Sequence, residues 1–246
     1  MSDTELVLSG PRLHLRYPRA EDAAALFALA SDPEVTRFFS WGPYRELAEA
    51  REWLGTLPAR RETGTALELA IVGEGFAGQG AGEEGVGVES GAGESVGEEG
   101  GAEEGGAGEG GAGEGGAGEG AGLIGITLLS EFSKRDRRCV VGTWLGRPHW
   151  GTGANLEVKA LVARLAFERL GIERLGAYAD LRNGRSQVAL ERVGFEREGV
   201  LRAFHRHGDE PRDVATYALL RADWPRSPLA SVKARISGEP PAAFRV

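Results

Sequence analysis

The chain has 246 residues, 41% of them apolar, and a formal charge of −8, but 23 of its 39 glycines and 12 of its glutamates crowd into the stretch from Gly73 to Gly122, which holds no lysine or arginine. Outside that stretch 29 basic residues meet 25 acidic ones, a balance of +4, so the acidity of the whole says nothing about the folded part. A single cysteine, Cys139, excludes an internal disulfide, no Cys or His pair has metal-ligand spacing, and no run approaches the roughly 18 apolar residues of a membrane span.

Residues 1–10 have neither a basic lead nor an apolar stretch long enough for a secretion signal, so a cytoplasmic protein is expected. Residues 12–17 alternate as a half-buried strand does, with Leu13, Leu15 and Tyr17 on one face. Ala23, Leu26, Phe27 and Ala30 then follow helical spacing, and Asp32-Pro33 ends the run. Leu47, Ala50, Leu54 and Leu57 predict a second helix, stopped at Pro58. Leu67, Leu69 and Ile71 alternate with their neighbours, and residues 123–129 form a second β-like run.

Between those two strands lies the glycine tract, residues 74–121, with a Gly-Gly-Ala-Gly-Glu repeat from Gly105 to Glu119. It is too poor in apolar residues to offset the entropy of ordering and reads as a disordered insertion in a hairpin. Lengthening a turn of about five residues to about fifty costs only about 2 kcal/mol in closure entropy, so the flanking strands can still pair.

Residues 139–145 are strand-like, and Gly151-Thr-Gly153 leads into a long helix with Val158, Leu161, Val162 and Leu165 as its buried stripe and Glu157, Arg164 and Glu168 turned to the other side. Leu175, Ala177 and Ala179 give a further strand. Asn183 sits where an N-cap belongs, ahead of a short helix carrying Ala189, Leu190 and Val193 and closed by Gly194. Two last strands follow, from Phe195 and from Arg212, and then a proline-bearing tail, residues 225–246, with at most a helical turn or two around 229–236. The predicted order is one strand, two helices, three strands, helix, strand, helix, two strands.

The chemistry centres on the turn Trp150-Gly-Thr-Gly-Ala-Asn155 between a strand and a helix. A helix N-terminus offers N–H groups and a partial positive charge, and glycines let a phosphate approach the backbone, so the turn can cradle a pyrophosphate. A dinucleotide fingerprint fails because its third glycine is Leu156 here, and no Gly-Lys-Ser/Thr supports a P-loop. Residues 147–159, then Asn183-Gly-Arg-Ser186, then residues 190–202 with Val193-Gly-Phe195 resemble, in order and spacing, the GNAT superfamily of N-acetyltransferases. Within it they are similar to the branch that acetylates the N-terminal alanine of ribosomal proteins. The resemblance runs over residues 13–224 apart from the insertion.

The resemblance implies an α+β GNAT fold, with a mixed, mostly antiparallel twisted sheet and helices on both faces, over residues 11–224. It implies acetyl-CoA as co-substrate and a primary amine as acceptor, such as a ribosomal or other protein N-terminus, without metal, nucleic acid or membrane partners, in a monomer or homodimer. The backbone amides of Trp150, Gly151, Thr152, Gly153, Ala154 and Asn155 would hold the CoA pyrophosphate. The strand ending at Leu145 would splay from its neighbour, leaving backbone groups near Leu145 for the pantetheine arm. Asn183 would contact that arm, and Ser186 would lie near the thioester sulfur as proton donor. Trp150 and Asn155 depart from the superfamily's commonest residues, and relatives often carry a carboxylate where this chain has Val140, which leaves the general base open. Phe38, Phe39, Trp41, Tyr44 and Trp53 are candidates for an acceptor pocket or for the core, and the four histidines are expected at surface or packing positions. The alternatives are acetylation of a small amine, such as an aminoglycoside, a polyamine or an amino-acid metabolite, and a CoA-binding module without catalysis.

Overall fold

The structure is a computed structural model that describes residues 5–73 and 122–246. The expected disordered insertion, residues 74–121, lies outside the described residues. Its two ends, Gly73 and Gly122, are register partners in adjacent antiparallel strands, so the tract joins the open end of a hairpin.

Nine strands form one sheet in the order β7-β8-β6-β5-β4-β3-β2-β1-β9. They are β1 (Val7–Ser9), β2 (Leu13–Arg16), β3 (Ala66–Gly73), β4 (Gly122–Ser133), β5 (Arg138–Leu145), β6 (Arg174–Asp180), β7 (Glu196–His207), β8 (Glu210–Leu220) and β9 (Arg235–Ser237). The helices are α1 (Ala23–Ala30), α2 (Pro33–Thr36), α3 (Leu47–Glu62), α4 (Ala154–Arg164) and α5 (Gly184–Arg192). Every strand pair is antiparallel except β5 with β6, the pair joined through α4. This is the mixed, mostly antiparallel architecture the sequence predicts.

Alternation explains how the sheet feeds two cores. Leu67, Leu69 and Ile71 of β3 meet Leu13, Leu15 and α4 on one face, while Ala70 and Val72 meet α1, α3 and Trp144 on the other. Each fully buried leucine contributes on the order of 1.5–3 kcal/mol. β3 is therefore buried on both faces along all eight residues, Glu68 included, and Arg60 of α3 sits 3.0 Å from that carboxylate.

Three local expectations differ from the structure. Pro58 does not stop α3, which continues to Glu62. The ring removes one backbone bond, but Leu57 is buried on the sheet and Arg60 reaches Glu68, so packing holds the helix across the break. Glu157 does not face away from the core; it is 4% exposed. The proline-bearing tail holds more than the helical turn expected near residue 229, which is present and buries Leu229: a second 3-10 turn buries Phe244, and β9 pairs with β1 at the sheet edge. Ile236 and Phe244 follow no helical or strand period, so pattern reading has nothing to detect.

Candidate active site

β5 and β6 run together for only three residue pairs, the last being Val140 with Gly176, and then part. Beyond that point β5 stays paired with β4 up to Leu145, and β6 stays paired with β8 up to Asp180. The strand splay expected from the sequence is thus present. Gly146 N–H donates to Ile124 O in β4, and strand residues alternate in the side to which their N–H and C=O point. The backbone groups of Thr143 and Leu145, with the carbonyl of Val141, are therefore turned into the gap, the Val141 N–H being the last ladder bond to β6. At Leu145 one of them is already engaged, because the Trp150 indole N–H donates to its carbonyl at 2.8 Å.

At the mouth of the gap the turn of residues 150–153 enters α4. Gly151 and Gly153 have φ of +76° and +81°, where a side chain is strained, and a Cβ on Gly151 would meet no atom within 4 Å. The turn is held from behind. Glu157 Oε1 accepts the backbone N–H groups of Arg12 and Leu13, each at 2.8 Å, and its other oxygen meets Arg12 Nε at 3.2 Å. Arg12 Nη1 in turn donates to Thr152 O at 3.1 Å. Because a trans peptide points its C=O and N–H in opposite directions, tethering the Thr152 carbonyl turns the Gly153 N–H away from Arg12. Trp150 N–H donates to Arg147 O and Ala154 N–H leans on Thr152 Oγ1 at 3.4 Å. The N–H groups of Gly151, Thr152 and Gly153 enter no hydrogen bond with a described residue. With the positive end of α4, this is a fit for an anionic diphosphate. Asn155 follows in the first turn of α4 and lines the same cavity.

Across the gap, Asn183 Oδ1 accepts the N–H of Ser186 at 3.1 Å, so Asn183 is the cap of α5 and its amide nitrogen remains for a ligand. Ser186, half-buried, lines the cavity, which has a volume of about 870 Å³. Arg185 bridges the mouth with its guanidinium 3.4 Å from the centre of the Trp150 ring. The aromatic candidates divide. Phe38, Phe39 and Trp41 line the cavity, and Trp41 packs at 5.4 Å on Trp144; Tyr44 and Trp53 pack against the second core and do not line it. His149 and His205 line the cavity, and His205 is exposed there and packed beside Tyr178 and Phe204, as expected of a surface or packing histidine. Asp180, at the end of β6, pays a burial cost but is held below the usual carboxylate range by bonds from Arg182 and Arg212. Cys139 is buried in the core, and burial pushes its thiol up to about 12.

Two residues were missed by sequence reasoning. Glu157 was expected on the side away from the buried stripe, and only the fold brings Arg12 beside it. Lys159 lies 4% exposed in the cavity wall, with its Nζ 2.7 Å from Thr143 Oγ1. Burial drives its pKa down to about 7. The signal was in the helical wheel: a lysine between Val158 and Val162, on the stripe that faces the sheet.

Comparison with known proteins agrees with this geometry. The family described as acetyltransferase (GNAT) domain matches residues 12–196. The uncharacterised N-acetyltransferase YoaA of Bacillus subtilis is 25% identical over 215 residues, covering 87% of this chain and 97% of that protein. A second Bacillus subtilis protein, YdaF, provisionally named a ribosomal N-acetyltransferase, is 28% identical over 102 residues, covering 42% of this chain and 56% of its own. Among solved structures, the microcin C7 self-immunity acetyltransferase MccE in complex with acetyl-CoA and AMP superimposes with a TM-score of 0.62 at 14% identity, covering 86% of this chain and 93% of that one. Among the described residues no group of three or more His, Cys, Asp or Glu could hold a metal, and no helix is long and apolar enough to cross a membrane.

Proposed function

The chain belongs to the acetyltransferase (GNAT) family and is an N-acetyltransferase that uses acetyl-CoA, and we propose that its acceptor is the α-amine of a protein or peptide N-terminus. The observation that carries the acceptor reading is that, among the described residues, both carboxylates lining the cavity, Glu34 and Asp180, are paired with arginines. Val140 stands at the position where relatives often carry one, and Asp180 is committed to two arginines. An α-amine with pKa about 7.7–8.0 is roughly a fifth neutral near pH 7.3, whereas a lysine at about 10.4 is neutral at about one part in a thousand. A site whose carboxylates are already committed suits the former. The name given to YdaF points the same way.

In this reading the N–H groups of Gly151, Thr152 and Gly153, with Trp150, Ala154 and Asn155 shaping the turn, hold the pyrophosphate. The backbone of Thr143 and Leu145 and the free amide of Asn183 hold the pantetheine. Bound acetyl-CoA supplies an acetyl group already activated as a thioester. The N–H groups on the gap edge of β5 polarise its carbonyl, Phe38, Phe39 and Trp41 keep water from the amine, and Ser186 gives its proton to the departing sulfur.

The test is CoA release from acetyl-CoA against alanine- and serine-terminated peptides, the same peptides with blocked N-termini, spermidine, an aminoglycoside and free amino acids. Free-N-terminal peptides are expected to turn over and blocked ones to fail. Preference for a small amine by tenfold or more in kcat/KM would replace this acceptor with the kind of ligand the 870 Å³ cavity also admits. No release with any amine would leave CoA binding alone.

A further inference from the structure

Lys159 is a cavity-facing amine that the reading above does not use. Its Nζ belongs to a chain of hydrogen bonds whose direction can be worked out by counting protons. Thr127 Oγ1 donates to Gly142 O at 3.0 Å, which spends the only hydrogen that hydroxyl has. In the 2.8 Å contact between Thr127 and Thr143, Thr143 must then be the donor. Thr143 Oγ1, having given its own hydrogen, accepts from Lys159 Nζ. One N–H of the amine is thereby pinned to the sheet, and the remainder of its tetrahedron, the lone pair of the neutral form included, meets no further hydrogen-bonding side chain among the described residues that line the cavity.

Nothing nearby holds a proton on Lys159. Among the described residues no carboxylate forms an ion pair with it. On its own helix Glu157 is turned to Arg12, and Arg164 meets Glu168. From β2, Arg16 is paired with Asp22, and His14 stands on the same strand; from β5 comes Cys139; the turn Pro228–Ser231 packed on α4 carries no titratable group. Around the cavity stand Glu34, His149, Tyr178, Asp180, Arg185, Arg192 and His205, and none shifts the lysine, for which burial is the sole cause.

We propose that Lys159 is the proton acceptor of the transfer reaction, taking the proton that the attacking amine loses as it bonds to the acetyl carbon. This rests on the amine-acceptor reading above. The balance is simple. The acceptor nitrogen forms the N–C bond, the C–S electron pair leaves on sulfur, and the amine proton passes to the Lys159 lone pair. Ser186 protonates the thiolate and is reprotonated from Lys159 through water in the open cavity, so the net products are the amide and CoA thiol. A proton acceptor whose conjugate acid lies at about 7 is matched to neutral pH.

The experiment compares wild type with Lys159→Met, in full-length protein. The chain has three lysines, so lysine labelled with carbon-13 gives a readable spectrum. The resonance missing in Lys159→Met is expected to titrate near about 7 without any ligand. With an alanine-terminated peptide, kcat of Lys159→Met should fall about 100-fold or more, while acetyl-CoA binds within about threefold of wild type. The limb of the wild-type kcat–pH profile near 7 should stay in place when the peptide is exchanged for spermidine, and should vanish in the variant. Aminoethylation of Lys159→Cys should restore it, with the buried Cys139 thiol spared. The variant should also be the more stable protein. A lysine with a lowered folded pKa makes the unfolded state bind more protons between about 7 and 10.5, so wild type loses stability as pH falls through that window and Lys159→Met does not. Wild-type turnover with an unchanged Lys159→Met profile, or acetyl found on Lys159 itself, overturns the proposal. Absence of CoA release from wild type with any amine instead overturns the acceptor reading beneath it.

Discussion

The two halves of one sheet solve opposite problems. β3 and β4 are paired from Ala66–Ser130 to Gly73–Gly122, and β3 presents buried side chains on both faces. β5 and β6 are paired for three residues and then separate around a cavity. In the first half every ladder bond is spent on the fold. In the second, the backbone of Thr143 and the amides of residues 151–153 are withheld from it. Stability and binding thus draw on different strands, and substitutions should divide along the same line.

The sharpest cut is Leu69→Ala in β3. Truncating a leucine 1% exposed should cost about 2–5 kcal/mol in chemical unfolding, with acetyl-CoA affinity of the folded protein unchanged. A large loss of affinity would show that the halves are coupled. The converse cut is the double substitution Gly151→Glu with Gly153→Glu, expected to weaken acetyl-CoA about 100-fold or more by calorimetry while circular dichroism still shows a folded protein. If it bound as wild type does, the turn would not be the diphosphate site. Replacing residues 74–121 by an Asn-Gly turn between Gly73 and Gly122 should raise stability by at most about 2 kcal/mol and leave acetyl-CoA binding intact. Loss of folding would make the tract part of the closed half. Ser186→Ala should lower kcat about tenfold with little change in acetyl-CoA affinity, and unchanged kcat in a chemistry-limited assay would reduce Ser186 to the third residue of α5.

Much of this division was legible before any coordinates. The alternation at Leu67, Leu69 and Ile71, the helical spacing before Arg164, and the glycine turn after Leu145 each carry a local signal, and each element formed. Of the residues singled out in the sequence, Leu145, Trp150, Gly151, Gly153, Ala154, Asn155, Asn183 and Ser186 line one cavity, and Thr152 does not. What stayed hidden was whatever depends on contact across the chain. Glu157 meets Arg12 over 145 residues, Lys159 meets Thr143 on a neighbouring strand, and Phe244 is buried without any period around it. Pro58 misled for a related reason, since a local helix breaker yields where tertiary packing outweighs one lost bond.

The edges of the sheet have a consequence for how copies of the chain behave in crowded solution. Any open strand is a template on which another molecule can add its own. At one end the last strand, β9, offers three residues before Gly238 and Pro240, too short a ledge to be extended. At the other, β7 is twelve residues long and mostly exposed, with Val200, Leu201 and Phe204 among its outward groups. That ledge is crooked: its register with β8 slips twice, and Ala203 takes a φ of +51° within the second slip. Glu196, Arg197, Glu198, Arg202 and Arg206 place charges of both signs along it. A flat strand would have to follow these kinks and match charges of both signs to stack there, so this edge is a poor template for a further strand despite its exposed apolar groups.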